Sequence, residues 1–153
     1  MAIFLVQHGK SLSKDIDPGK GLSEEGIGDV KRIAGVAKSY RVHVSSIKHS
    51  GKKRARQTSD IFASELGPEG GVEEIPGISP LDDVVAFAST LTSDADIMIV
   101  GHLPFMERLT SYLTTGSPDM TVFKFQNGGI VCLDEEPDAY LWVIKWTLMP
   151  NIG

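Results

Sequence analysis

Short apolar runs alternate along this chain with longer segments whose apolar residues follow helical spacing. The runs are too short for helices and several are rich in β-branched residues, so they indicate buried strands. The predicted strands span residues 2–6, 42–48, 72–75, 97–100, 122–125, 130–133 and 141–148. The predicted helices span residues 24–38, 54–66, 79–90 and 104–113. This alternation predicts a three-layer α/β/α sandwich with a mixed, largely parallel central sheet.

Capping residues support the predicted helix ends. Ser23 is the expected N-cap of the first helix, and Gly67 is expected to end the second. Ser79, followed by Pro80 at N1 and Asp82 at N3, has the pattern of an N-cap for the third helix. Turns are expected at residues 127–129 and 135–138.

Length and charge limit the class of protein. The 153 residues fit one domain, 1–153, and the net charge of −5 argues against a nucleic-acid partner. The single cysteine, Cys132, lies in an apolar stretch and is expected to be a buried, unreactive thiol. The opening apolar run lacks a basic flank and is too short to span a membrane, so we expect a cytoplasmic protein without a membrane partner.

Polar residues follow three of the predicted strands, where each strand ends. The three segments are Gln7-His8-Gly9, His49 to Arg54, and Gly101 to Pro104. Because ligands of α/β sheets bind beyond the carboxyl ends of the strands, we expect these segments to form one site.

The tripeptide Gly9-Lys10-Ser11 resembles the end of a phosphate-binding P-loop, but the rest of that pattern is missing. A P-loop requires a first glycine at position 4, where the chain has Phe4 inside the predicted strand. A histidine nucleophile fits better, because a neutral imidazole with a pKa of about 6.5 can attack phosphorus near neutral pH. The segment 41–56 also holds six Lys/Arg and no Asp or Glu, which indicates anion binding.

Three motifs, in order, resemble the histidine phosphatase superfamily, which has the phosphoglycerate mutase-like fold. Val6-Gln7-His8-Gly9 resembles its Arg-His-Gly signature, and residues 50–58 resemble its Ser-x-x-x-Arg-Ala-x-Gln-Thr motif. Residues 100–104 are similar to the third motif, which carries a second histidine, and 21–26 to the stretch before the first helix. The length, with no inserted cap domain, resembles the SixA-type phosphohistidine phosphatases.

The resemblance implies a role for each matching residue. His8 would accept the phosphoryl group, Arg54 would hold its oxygens, and His102 would hydrogen-bond to it and stabilise the transition state. The backbone N–H of Leu103 would add a donor. No metal-ligand spacing occurs among the histidines, acids and cysteine, so neither a metal nor a cofactor is expected.

One departure from the motif concerns charge. Gln7 stands where the superfamily has an arginine, and a glutamine can donate to a phosphate oxygen without bringing charge. Lys10, Lys48 or Lys53 are the candidates for the missing positive charge. If none replaces it, the chain is a phosphate- or phosphohistidine-binding module with weak activity.

A second departure concerns the general acid that phosphomonoesterases of this superfamily use. Asp82 and Asp83 are the candidates, although acids at a helix start have a simpler role in capping. A missing acid fits a phosphohistidine substrate on a protein partner, because an imidazole leaves more easily than an alkoxide. The alternative is a phosphomonoesterase that acts on a small phosphorylated molecule.

Four aromatic residues outside the motifs are expected to be structural. His43 and His49 have no motif support and are expected to be structural or on the surface, with the rim of the site as the alternative for His49. Trp142 and Trp146 lie four residues apart in a predicted strand, so we expect them on one face of the sheet, in the core.

Overall fold

The computed structural model describes residues 2–91, 96–136, 138 and 141–152 of the chain. The strands are β1 (Ala2–Gln7), β2 (Ser46–His49), β3 (Val72–Glu74), β4 (Ile97–Gly101), β5 (Ile130–Glu136) and β6 (Leu141–Leu148). The helices are α1 (Glu24–Ser39), α2 (Lys53–Leu66), α3 (Val84–Ala88) and α4 (Phe105–Thr115). The N-cap Ser23 accepts a hydrogen bond from the Gly26 N–H, and Gly67 ends α2 in the left-handed conformation.

The six strands form one mixed sheet in the order β3-β2-β4-β1-β5-β6. The pairings β3-β2, β2-β4 and β4-β1 are parallel, whereas β5 is antiparallel to β1 and to β6. In the β1-β4 register Gln7 lies opposite Gly101, so the loops that follow the two strands begin side by side. The predicted α/β architecture is confirmed.

Helices cover both faces of the sheet, because alternate residues of each strand point to opposite sides. On one face Phe4 and Val6 pack with residues of α1 and α2, including Phe62. On the other face Ile3 and Leu5 pack with residues of α3 and α4. The two fully buried cores hold the loops at the carboxyl ends of β1, β2 and β4 on a rigid base.

Two predicted strands and one predicted turn are wrong or misplaced. Residues 122–125 form no strand, because both neighbours of β5 in the sheet are already present; Phe125 is instead buried in the core beside α4. The strand predicted at 42–48 is shorter and later, at Ser46–His49. The predicted turn at 135–138 begins too early, because Glu135 and Glu136 belong to β5, and Pro137 lies outside the described residues.

The third helix begins at Val84, later than predicted, and ends at Ala88. Its N-cap is Asp83, whose Oδ1 accepts hydrogen bonds from the N–H groups of Val85 and Ala86. Ser79 instead lies in a preceding turn that Asp82 closes by accepting the Ser79 N–H at 2.9 Å. The Asp82 N–H also donates to the Ser79 carbonyl at 3.0 Å, so residues 79–82 form a separate turn and the helix begins only after the cap at Asp83.

The two tryptophans of β6 lie on opposite faces of the sheet, contrary to the prediction. Trp142 is buried in the core beside α4, whereas Trp146 packs against Phe4 on the other face. The pairing of β5 and β6 shifts register between Cys132 and Leu133, which leaves Lys145 as an extra residue on β6. A β-bulge of this kind reverses the face on which the following side chains lie.

Candidate functional site

His8 is the first residue after β1, and its ring is held by the backbone around it. The His8 N–H donates to the Gly101 carbonyl at 3.0 Å, and Asn127 Nδ2 donates to the His8 carbonyl at 2.9 Å. Nδ1 of the ring lies 2.7 Å from the Gly9 carbonyl oxygen, which only accepts. Nδ1 therefore carries the proton in the neutral ring, and Nε2 keeps its lone pair.

Arg54, in the first turn of α2, directs its guanidinium at that lone pair. Its Nε donates to His8 Nε2 at 3.3 Å. One turn later, Thr58 Oγ1 donates to the Arg54 carbonyl at 2.8 Å and accepts the Gly9 N–H at 3.0 Å. The Thr58 hydroxyl therefore joins the helix that carries Arg54 to the loop that carries His8.

The loop at Gly9 has no room for a side chain. A Cβ atom added there would lie 2.8 Å from Val30 Cγ2 and 3.3 Å from the Gly26 carbonyl oxygen. This close approach of the loop to α1 requires glycine directly after the histidine.

His102 follows β4, is almost fully buried, and faces His8 with the ring centroids 5.1 Å apart. Its Nε2 lies 2.6 Å from Ser50 Oγ, while its Nδ1 is buried with no partner among the described residues. The structure therefore brings together the three residues of the predicted catalytic set, His8, Arg54 and His102, and adds Ser50.

Both site histidines are neutral at physiological pH. Burial, together with the nearby cations Arg54 and Lys20, lowers the pKa of His8 to about 4, although the hydrogen bond with Gly9 opposes the shift. Burial lowers the pKa of His102 to about 3, helped by His8 and by Arg54, Lys52 and Lys20. No carboxylate is among the charged groups that shift either ring in the described part of the chain. The site can therefore offer a neutral imidazole Nε2 within a positive surround, which suits attack on an anionic phosphorus.

Besides Arg54, the residues predicted to bind the substrate are Gln7, at the end of β1, and Leu103, which follows β4. Gln7 is the last residue of β1, and its Oε1 is buried without a hydrogen-bond partner among the described residues. Leu103 lies between β4 and the start of α4, and its side chain packs against the core. Its N–H belongs to the same loop as His102.

The three lysines considered as replacements for the missing arginine are all held in ion pairs. Lys10 pairs with Glu25 at 2.6 Å, and Lys48 pairs with Glu73 at 2.8 Å. Lys53 Nζ lies 2.8 Å from Asp17 Oδ2. Lys20 was not among the residues predicted from sequence, although its charge acts on both histidines. The turn-forming Asp-Pro-Gly before it was the available signal.

The remaining candidates have structural surroundings. Asp82 accepts the Ser79 N–H in the turn before α3, and Asp83 accepts two backbone N–H groups at the start of α3. His49 Nδ1 accepts the Gly51 N–H, and exposed His43 contacts the carboxylates of Glu69 and Asp96.

Two further predictions concern the cysteine and the possibility of a membrane span. Cys132 is buried, and burial raises the pKa of its thiol to about 12. Among the described residues, no helix has both the length and the apolar character needed to cross a bilayer.

Comparison with known proteins shows the fold. No protein-family model and no curated protein sequence matches the chain significantly. A solved structure of the protein histidine phosphatase SixA, complexed with tungstate, superposes with a TM-score of 0.83. The likeness covers 98% of this chain and 97% of that one, at 24% sequence identity.

Phosphatases with other substrates in their names have the same architecture. The α-ribazole phosphatase from Shigella flexneri superposes with a TM-score of 0.78 at 15% identity, over 100% of this chain and 98% of that one. A phosphoserine phosphatase mutant from Entamoeba histolytica, in complex with phosphoserine, gives 0.72 at 14% identity over 98% of both chains. The chain therefore has the fold of these phosphatases.

Proposed function

We propose that this protein is a phosphatase of the histidine phosphatase superfamily that works through a phosphohistidine intermediate on His8. The observation that carries the proposal is the pairing of an unprotonated His8 Nε2 with the Arg54 guanidinium at 3.3 Å. Similarity to the SixA structure over nearly the whole chain supports the same assignment.

The reaction proceeds in two displacements. In the first, His8 Nε2 forms a bond to phosphorus while the bond from phosphorus to the leaving group breaks, and the leaving group takes a proton. Arg54 and His102 bind the oxygens on which negative charge accumulates, with the Leu103 N–H as a further donor. In the second, water attacks the phosphoryl group, loses a proton and releases inorganic phosphate, which restores neutral His8.

The substrate we propose is a phosphohistidine on a protein partner. In P–N cleavage the leaving imidazole accepts a proton from solvent, so the enzyme requires no acid of its own. The surroundings of His8 and His102 fit this requirement, since no carboxylate is among the groups that shift their pKa values in the described part of the chain. Asp82 and Asp83 already cap backbone N–H groups. A cytoplasmic location, supported by the buried, unpaired Cys132, is part of the proposal.

A phosphomonoesterase acting on a small molecule is the second candidate. It is favoured by the likeness to the α-ribazole and phosphoserine phosphatases, which covers nearly the whole chain. This candidate requires a group that protonates an alkoxide, so it predicts that one of Asp82 and Asp83 is needed for turnover.

The test compares two substrates in wild type and variants. We expect a higher kcat/KM for a phosphohistidine-bearing protein than for p-nitrophenyl phosphate or a sugar phosphate. Asp82→Asn and Asp83→Asn should leave turnover of the P–N substrate nearly unchanged. Faster turnover of an alkyl phosphate, with a large loss in either Asn variant, would assign the second candidate instead.

The nucleophile is tested separately by trapping the intermediate. The phosphoenzyme should be labile in acid and stable in alkali, and His8→Ala should abolish it. Labelling that survives in His8→Ala would refute the assignment. If the wild type binds phosphate but forms no phosphoenzyme, the protein is a phosphate-binding module in which Gln7 has removed the catalytic activity.

A further inference from the structure

The site is short of one positive charge relative to the motif that it resembles. Gln7 provides an uncharged amide where the motif has an arginine. The three lysines that were candidates to replace this charge, Lys10, Lys48 and Lys53, are each paired with a carboxylate. A replacement must come from a cation that has no carboxylate partner and whose charge acts on both histidines.

The loop 17–21, between β1 and α1, is held in place by one carboxylate. Asp17 accepts the Gly19 N–H at 3.1 Å and the Gly21 N–H at 2.8 Å, and it pairs with Lys53. These bonds lower the pKa of Asp17 to about 2, so it stays ionised. Its own carbonyl accepts the Lys20 N–H at 2.8 Å, and the Gly21 carbonyl accepts the Leu12 N–H at 2.7 Å. The backbone on both sides of Lys20 is therefore fixed.

Lys20 is held in this loop in an unusual conformation. Its φ is +52°, in the left-handed region that non-glycine residues rarely adopt. The side chain is half-buried, yet no carboxylate pairs with it within the described residues, because Asp17 is engaged by Lys53. A lysine without an ion-pair partner is available to bind an anion.

The charge of Lys20 acts on both sides of the site. Among the lysines, it is the one that lowers the pKa of His8 as well as that of His102, whereas Lys52 acts on His102 alone. The loop that carries Lys20 also lies against the first turn of α2. A Cβ atom added at Gly19 or Gly21, on either side of Lys20, would lie 3.2 or 2.9 Å from the side chain of Lys53, the residue before Arg54. Lys20 is therefore placed beside the segment that carries Arg54.

We propose that Lys20 binds the phosphoryl oxygens and supplies the positive charge that Gln7 does not. The proposal rests on the phosphatase function proposed above. The charge has moved from the end of β1 to the loop 17–21, which Asp17 holds against α2 through Lys53.

The test measures the affinity for inorganic phosphate by calorimetry, together with kcat/KM for the phosphohistidine protein. Lys20→Met should lower both about tenfold or more, as expected for a lost charge-assisted hydrogen bond. Lys20→Arg should retain most of the affinity. Lys14→Met is the matched control, because Lys14 is an exposed lysine in the same connection whose charge shifts neither histidine. Methionine has no more difficulty at φ +52° than lysine, so the substitution leaves the backbone strain unchanged.

A second substitution tests whether the two positions share one role. Gln7→Arg should restore phosphate affinity and turnover to Lys20→Met while adding much less to the wild type. Equal phosphate affinity in Lys20→Met and Lys14→Met would overturn the proposal.

Titration of the two imidazoles by NMR provides a readout that needs neither substrate nor turnover. Lys20→Met should raise the pKa of both rings, and Lys14→Met should change neither. A wild type without phosphatase activity would refute the proposed function, while phosphate affinity and ring titration would still decide the role of Lys20. An active wild type with a silent Lys20→Met would refute the role of Lys20 alone.

Discussion

Lowering the pH from 8 to 5 should reduce the free energy of unfolding through His8 and His102. Both rings stay neutral in the folded protein at pH 5, because burial and nearby cations lower their pKa values to about 4 and about 3. In the unfolded chain each ring returns to its ordinary pKa of 6.5. The unfolded chain therefore binds more protons than the folded protein below pH 6.5, and stability is lost as the pH falls.

The size of the loss follows from the titration in the unfolded chain. Each ring must lose its proton to fold, which costs about 1.4 kcal/mol per pH unit below its unfolded pKa. Over the roughly 1.5 units between 6.5 and 5 this is about 2 kcal/mol per ring, and about 4 kcal/mol for the pair. The result depends little on the folded pKa values, since both lie below 5.

Urea denaturation at a series of pH values measures this loss. The comparison is between the wild type and the double variant His8→Asn/His102→Asn, which should lose about 4 kcal/mol less between pH 8 and 5. His43 acts in the opposite direction, because Glu69 and Asp96 raise its pKa. Its contribution is present below pH 6.5 and is lost as the pH rises through the folded pKa, so His43→Gln in both backgrounds removes it. Identical pH profiles for wild type and double variant would refute the neutral state of the site.

Two further substitutions test the site and its support. Arg54→Ala should lower kcat/KM by roughly 10² or more, whereas Arg56→Ala, which removes an exposed arginine of the same helix, should change it far less; equal losses would mean that the charge acts only as a patch. Gly9→Ala should lower the free energy of unfolding by about 1–3 kcal/mol through the contact with Val30, whereas Gly28→Ala, in an open helical position, should raise it by about 0.5–1 kcal/mol. Chemical denaturation measures both changes, and similar changes in the two variants would refute the role of the close contact at Gly9.

The arrangement of the candidate site was accessible from sequence because parallel strands impose it. Once the runs that end at Gln7, His49 and Gly101 are taken as parallel neighbours, their loops must meet at one edge of the sheet. The structure shows His8, Arg54 and His102 there. The hydrophobic pattern therefore predicted that the three segments meet, whereas the resemblance to the superfamily motifs selected Arg54 and His102 within them.

The misplaced features depend on contacts that pattern does not show. The apolar residues at 122–125 alternate as in a strand, yet β5 is already paired with β1 and β6 on its two sides, and Phe125 is buried in the core instead. The bulge at Lys145 shifts the register by one residue without any change in the burial pattern of β6. Lys20 was missed for a similar reason, since its availability depends on Asp17 being engaged by Lys53.

The parallel register of β1 and β4 makes the distance between the two histidines a property of the sheet. His8 and His102 each follow one residue of the Gln7–Gly101 pair, and their ring separation of 5.1 Å is close to the spacing of neighbouring strands, about 4.8 Å. Insertions or deletions in the surrounding loops leave that spacing unchanged, because backbone hydrogen bonds of the sheet set it. Divergence in this architecture can therefore alter the cations and the substrate contacts, as at Gln7 and in the role proposed for Lys20, while the separation of the two imidazoles persists.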